Sequence, residues 1–252
     1  MNDGAAAAAA PNPAQPAPSL EPAEQLYIQA LALGLDPTWR RLSKGTRAED
    51  ARVFTAAHAD GLAAHPGVRS ITYSSIGLEP AVDLMLWRMA PSMDALEETA
   101  AALLRGGFGR WLTVAHSFIG RIGESQYVRK PTQQERSLFE GDRRRYLVVY
   151  PFTKSTDWYL MTREERQRVM NEHMKLGHQY PTIRQALAYS FGLDDQDFVV
   201  AYEMDDLVAF GDLVRALRST ESRRATVNDN PILLGIHRPL DEIFSMLGAD
   251  SA

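Results

Sequence analysis

An imidazole on the inward stripe of a helix, an amide set in an apolar strand face, and a phenol and ammonium near a strand end are the groups whose placement could support ligand binding or redox chemistry. The imidazole is His173. Thr162 and Glu165 form a capping box that opens a helix expected over Arg163 to Leu176, where Val169, Met170, His173 and Leu176 or Gly177 recur at three- and four-residue spacing. His173 therefore faces inward, either as a hydrogen-bonded core histidine or as a ligand. In the next strand, expected over Thr182 to Phe191, alternation places Ile183, Gln185, Leu187, Tyr189 and Phe191 on one face. Gln185 is the polar member of that row, and a buried amide needs a partner, in a neighbouring strand or in a ligand. The strand Tyr146 to Thr153 puts Val148, Tyr150 and Phe152 on one face, with Pro151 at an edge or end and Lys154 just beyond. A phenol and an ammonium there either snorkel to solvent or stand at the mouth of a cavity.

The elements that carry these groups form the second of two similar halves. The first half reads as strand Leu26 to Leu33, helix Arg47 to Ala63, strands Val68 to Ile76 and Val82 to Met89, helix Ser92 to Leu104 and strand Leu112 to Ile119. The second reads as strand Tyr146 to Thr153, helix Arg163 to Leu176, strands Thr182 to Phe191 and Phe198 to Met204, helix Leu207 to Leu217 and strand Pro231 to Ile236. Each is β-α-β-β-α-β, the ferredoxin-like unit. A shift of 115 residues maps Gly77-Leu78-Glu79 on Gly192-Leu193-Asp194, Trp87 on Tyr202 and Met89 on Met204. It also maps His58 on His173, so periodicity does not choose between the two imidazoles. The expected organisation is a disordered leader (1–23, with five of the fourteen prolines and a polyalanine run), an N-terminal domain (24–122), a polar connection (123–145) and a C-terminal domain (146–252).

Composition narrows the chemistry. With no cysteine among 252 residues, thiolate catalysis, iron–sulfur clusters and cysteine zinc sites are excluded. A net charge of -5 argues against a nucleic-acid binder working through a general basic surface. No apolar run reaches the roughly 18 residues of a membrane span, and Ala5 to Ala10 has no preceding basic residue, the first being Arg40. A cytoplasmic location is the resulting expectation. No phosphate-binding glycine loop, Ser/His/Asp signature or paired-histidine zinc motif occurs.

The segments Tyr150-Pro151-Phe152-Thr153-Lys154, Asp157-Trp158-Tyr159-Leu160, Glu164-Glu165-Arg166, Glu172-His173, Tyr189-Ser190-Phe191-Gly192-Leu193-Asp194-Asp195 and Leu213 to Glu221 resemble the chlorite dismutase superfamily. The resemblance is specific in the second half and loose in the first. It implies an α+β fold of tandem ferredoxin-like domains (a dimeric α+β barrel), antiparallel sheets with helices on one face, a haem cofactor and assembly as a homo-oligomer, usually a pentamer. It selects His173 as the iron ligand, with Glu221 as the carboxylate orienting it, and counts Trp158 among the cofactor-binding positions. Seven residues before Gly192, chlorite dismutases have an arginine and many coproheme decarboxylases a glutamine. That position is Gln185, although the His173 to Gly192 spacing is one residue shorter than the family pattern, and a register slip of one would turn Arg184 inward instead.

The same resemblance makes Tyr150 the radical-forming tyrosine of a coproheme decarboxylase, and Lys154 its propionate-facing lysine. Gln126, Arg136 and Ser222 would hydrogen-bond propionate carboxylates, a task suited to guanidinium. The substrate would be iron coproporphyrin III with peroxide as oxidant, and the product haem b. Phe198 stands where several decarboxylases have tryptophan. Two alternatives stay open: a chlorite-splitting or peroxidase-like enzyme with permanent haem b, and a non-enzymatic haem-binding protein.

Overall fold

The computed structural model describes residues 26–123 and 142–249. The expected leader lies outside the described residues, as does most of the polar connection, including Gln126 and Arg136. The first half comprises β1 (Leu26–Leu35), α1 (Lys44–Ala64), β2 (Arg69–Glu79), β3 (Val82–Ala90), α2 (Met93–Leu104) and β4 (Leu112–Ile122). The second comprises β5 (Tyr146–Lys154), a short α3 (Thr156–Leu160), α4 (Arg163–Gly177), β6 (Arg184–Tyr189), β7 (Phe198–Met204), α5 (Leu207–Arg218), β8 (Thr226–Asn228) and β9 (Leu233–His237). A last helix, α6 (Leu240–Met246), follows the second half.

This is an α+β fold with an antiparallel sheet and helices. The strand order is β7-β6-β4-β1-β3-β2-β9-β5-β8, and β7 also pairs with β5, so eight strands close on themselves while β8 extends β5. Both halves use one internal order, β4-β1-β3-β2 and β9-β5-β7-β6. The expected two sheets are thus joined into one. The ladder between halves is short: Arg121 faces Tyr189 at one seam, and Tyr73 and Ser74 face His237 and Ile236 at the other. Side chains complete the seams. The Ser190 hydroxyl donates to the Ile119 carbonyl (2.6 Å), and Thr72 and Ser75 donate to the carbonyls of Arg238 (2.6 Å) and Leu234 (2.8 Å).

Alternation along each strand builds two kinds of core. Ile28, Ala30, Ala32, Met85, Trp87, Met89, Leu147, Val149, Ala186, Ala188 and Ala201 point into the barrel. Its bore is narrow enough that a Cβ added at Gly235 would lie 2.7 Å from both Met85 Cε and Tyr73 Cβ. The outward face of the first half carries Leu31, Leu33, Leu84 and Leu86 and is fully covered. Trp39, Phe54, Phe108 and Phe244 stack edge to face there, with centroids 4.9 to 5.9 Å apart. Phe244 comes from α6, which has no counterpart in the first half among the described residues. The outward face of the second half is not filled in this way, and a cavity takes the place of the aromatic plug.

Candidate active site

The cavity encloses about 640 Å³ between the outward faces of β5, β6 and β7 and the helices α4 and α5. Period two supplies the sheet wall: Val148, Tyr150 and Phe152 from β5, Gln185, Leu187 and Tyr189 from β6, Val200 and Tyr202 from β7. The helix wall includes Met170, His173, Met174 and Gly177 from α4. The helix begins at the expected cap, since the Thr162 hydroxyl accepts from Glu165 N–H and the Glu165 carboxylate accepts from Thr162 N–H. His58 lies beside Arg88 in the filled half and does not line the cavity.

A hydrogen-bond chain fixes the His173 tautomer. The Thr220 hydroxyl gives its only proton to the Leu217 carbonyl (2.7 Å), so the Ser222 hydroxyl, 2.9 Å away, must donate to Thr220. Ser222 Oγ then accepts from His173 Nδ1 at 3.1 Å. The proton resides on Nδ1, leaving the Nε2 lone pair for a ligand bond. Burial, and next the positive charge of Lys154, push the imidazole pKa down to about 4, opposed by Glu172, so the ring is neutral near pH 7.

The carboxylate expected to orient this ring does not reach it. Glu221 forms a two-pronged pair with Arg168 (2.7 and 2.9 Å) on the surface, while its backbone N–H donates to Glu172 (3.2 Å). In the short 3-10 turn Glu221–Ala225 successive side chains diverge, so the neighbouring Ser222 is the residue that turns inward.

On the sheet wall the Tyr150 ring stacks on Tyr202, with centroids 6.1 Å apart and 25° between planes. Burial foremost, and next the neighbouring Tyr202, hold the Tyr150 pKa well above the ordinary tyrosine value. Pro151 is inside β5 rather than at its end, where Val199 of β7 faces it. On the other side β9 stops pairing at Val149 and β8 starts at Thr153, so the missing N–H falls in a gap between partners. Lys154 follows. Its Nζ donates to the Ser222 carbonyl (3.1 Å) and lies 4.5 Å from the Trp158 ring centroid and 5.0 Å from that of Phe152. Burial, then Arg223, lower its pKa to about 8.

The strand register decides between Gln185 and its neighbour. Gln185 is paired with Tyr202 and faces the cavity. Arg184 points to the barrel side, where its guanidinium meets buried Glu203 (3.2 Å) and the Asp142 carbonyl. Glu203 also accepts from the Tyr73 phenol (3.1 Å), so this arginine belongs to an internal polar cluster.

A family model for chlorite dismutase matches residues 46–238. This chain belongs to the chlorite dismutase family. A similar curated relative is a coproheme decarboxylase from Mycolicibacterium smegmatis, 30% identical over 184 residues that cover 69% of this chain and 75% of the relative. Similar solved structures include a mutant chlorite dismutase from Candidatus Nitrospira defluvii and the chlorite dismutase of that organism in complex with imidazole. Each has a TM-score of 0.80 and 27% identity, and covers 88% of this chain and 95% of the other.

Membership in this family of haem-dependent enzymes makes the fit of an iron porphyrin the question for the cavity. Among the described residues no group of three or more His, Asp or Glu side chains could hold a metal ion. A group that brings most of its own metal ligands, as an iron porphyrin does, is compatible with that lining. The walls are largely apolar, and His173 Nε2 has no hydrogen-bond partner among the described residues. Arg166 lines the same space with a buried Nε that finds no partner among the described residues, a donor suited to a ligand carboxylate. The residues present fit the group.

Sequence reasoning missed Arg166, Arg218, Arg223 and Asp229, all on the cavity wall. The two arginines at the end of α5 and in the following turn resemble ordinary helix-terminal cations in the sequence. Asp229 reaches them only because β8 turns back along β5.

Proposed function

We propose that this chain is a coproheme decarboxylase, binding iron coproporphyrin III and converting two propionates to vinyl groups with hydrogen peroxide to yield haem b. The observation that carries this is the location of Tyr150 and Lys154 on the wall of the cavity that His173 lines with a bare Nε2. When bound, the iron porphyrin supplies the peroxide-driven oxidising equivalents. His173 holds the iron, and Ser222 keeps the imidazole proton on Nδ1. Tyr150 gives up its phenolic hydrogen, and the resulting tyrosyl radical takes a hydrogen atom from the propionate β-carbon. Loss of a second electron and of carbon dioxide completes the step. Each propionic acid and peroxide give one vinyl group, one carbon dioxide and two waters. Lys154 holds the propionate carboxylate against the apolar wall, its lowered pKa suiting it to share a proton there. The neutral Gln185 on the cavity face, with Arg184 committed to Glu203, favours this reaction over chlorite splitting by an enzyme with a fixed distal cation. In the same proposal the halves are tandem ferredoxin-like units, and the enzyme works in the cytoplasm as a homopentamer.

The test is Tyr150→Phe, which keeps the ring and removes only the hydroxyl. Protein loaded with iron coproporphyrin III is treated with peroxide and the products are weighed by mass spectrometry. The parent should give the mono- and di-vinyl products and the variant neither. Haem b formation by Tyr150→Phe at the parental rate would falsify the proposal.

A further inference from the structure

A cavity for a porphyrin with four carboxylates has a carboxylate of its own. Asp229 is the one acidic side chain among the described lining residues, in company with Lys154, Arg166, Arg218 and Arg223. It lies 2.6 Å from the Arg223 guanidinium and 3.4 Å from that of Arg218, with only 15% of its side chain exposed. The short bond is a strong charge-assisted one. The longer one is loose, and its arginine is half exposed. Asp229 follows β8, which pairs with Thr153 and Lys154, so the cluster is carried to the end of the strand bearing Tyr150. The Tyr150 phenol senses the charges of both Asp229 and Arg218.

We propose that Asp229 is an internal stand-in for a substrate carboxylate, holding Arg218 and Arg223 in the empty cavity, yielding them to a propionate, and recapturing them once that propionate has become a vinyl group. The proposal builds on the decarboxylation assigned above. Guanidinium groups flanking an apolar wall are favourable partners for a carboxylate, which they can hold through charge-assisted hydrogen bonds. A carboxylate that arrives with the substrate must compete with Asp229 for them. A vinyl group brings no charge, so the product leaves the internal pair intact. Asp229 thereby reduces the gap in affinity between substrate and product, and removing its charge should widen that gap.

Binding of two metal-free porphyrins tests this without involving His173 or peroxide. Coproporphyrin III carries four carboxylates and protoporphyrin IX two. Both are titrated into the full chain by quenching of tryptophan fluorescence, for the parent, Asp229→Asn and Arg223→Gln. Asp229→Asn is near-isosteric, and Asp229→Ala is measured beside it, with circular dichroism to establish folding. The expected result is that coproporphyrin III binds about tenfold more tightly to Asp229→Asn than to the parent, the effect of losing one competing charge pair, while protoporphyrin IX changes much less. Arg223→Gln should lower the preference for coproporphyrin III. An unchanged ratio of the two affinities in both Asp229 variants, or equal tightening of both porphyrins, overturns the proposal. Decarboxylation is judged separately, by product mass with the parent protein, so either idea can fail while the other stands.

Discussion

Replacing Ser222 by alanine should weaken iron-porphyrin binding without unfolding the chain. Among the described residues the hydroxyl is the acceptor for His173 Nδ1–H, at 3.1 Å, and its own proton goes to Thr220. In Ser222→Ala the Nδ1–H loses its acceptor in a largely desolvated position, which costs about 1 to 3 kcal/mol. The ring is also freed to rotate or change tautomer, and loss of such a supporting hydrogen bond lowers metal affinity by roughly 10- to 100-fold, or about 1.4 to 2.7 kcal/mol. Titration of the apoprotein with ferric coproporphyrin III, followed in the Soret band, measures Kd and axial ligation together. Ser222→Thr keeps a hydroxyl and should recover most of the affinity. If Ser222→Ala bound the porphyrin with the parental Kd and spectrum, the hydrogen-bond chain from Leu217 to His173 would have no part in presenting Nε2.

His173→Ala should abolish the histidine-ligated ferric spectrum, whereas His58→Ala, in the filled half, should leave it unchanged. Gly235→Ala forces a methyl group to within 2.7 Å of Met85 and Tyr73 and should destabilise the barrel by about 1 to 3 kcal/mol, read from urea denaturation. The apoprotein should also be acid-sensitive in a defined window. The His173 pKa is about 4 when folded, below the ordinary value of 6.5, so the unfolded chain binds the proton first. The contribution is therefore fully present above pH 6.5 and is lost as pH falls toward 4, amounting to on the order of 3 kcal/mol. Denaturation of the parent and His173→Ala at pH 7 and pH 4.5 measures it, and an equal acid loss in both would refute the assignment.

The elements were legible in the sequence because period two and period 3.6 dominate long segments. The helix of His173 starts at its capping box, and β7 spans the expected Phe198 to Met204. What escaped depends on contacts between distant segments. β8 is three residues long and pairs only because β5 offers an unfilled edge beyond Pro151, a vacancy visible only once the ladder is assembled. The contrast between His58 and His173 was hidden for a related reason. The repeat gives both halves an imidazole at the same helical position, but Phe244 from α6 helps plug one half, and α6 lies beyond the repeat. The exchange of Glu221 for Ser222 beside the imidazole is a matter of one residue in a tight turn, finer than any spacing rule resolves.

Closure of the sheet also restricts how this chain can meet others. Each barrel strand has a neighbour on both sides, and the backbone left without a ladder partner is confined to β8 and to the parts of strands beyond the short seam pairings. Strand addition, the usual route from an open sheet to fibrils or to shared sheets between copies, finds no long free edge strand among the described residues. Any contact between copies would draw on exposed apolar side chains such as Leu160 of α3, Val208 of α5 and Val227 of β8, which are 67 to 78% exposed. Substitutions at those exposed positions would leave the hydrogen-bonded frame that holds the cavity unaltered.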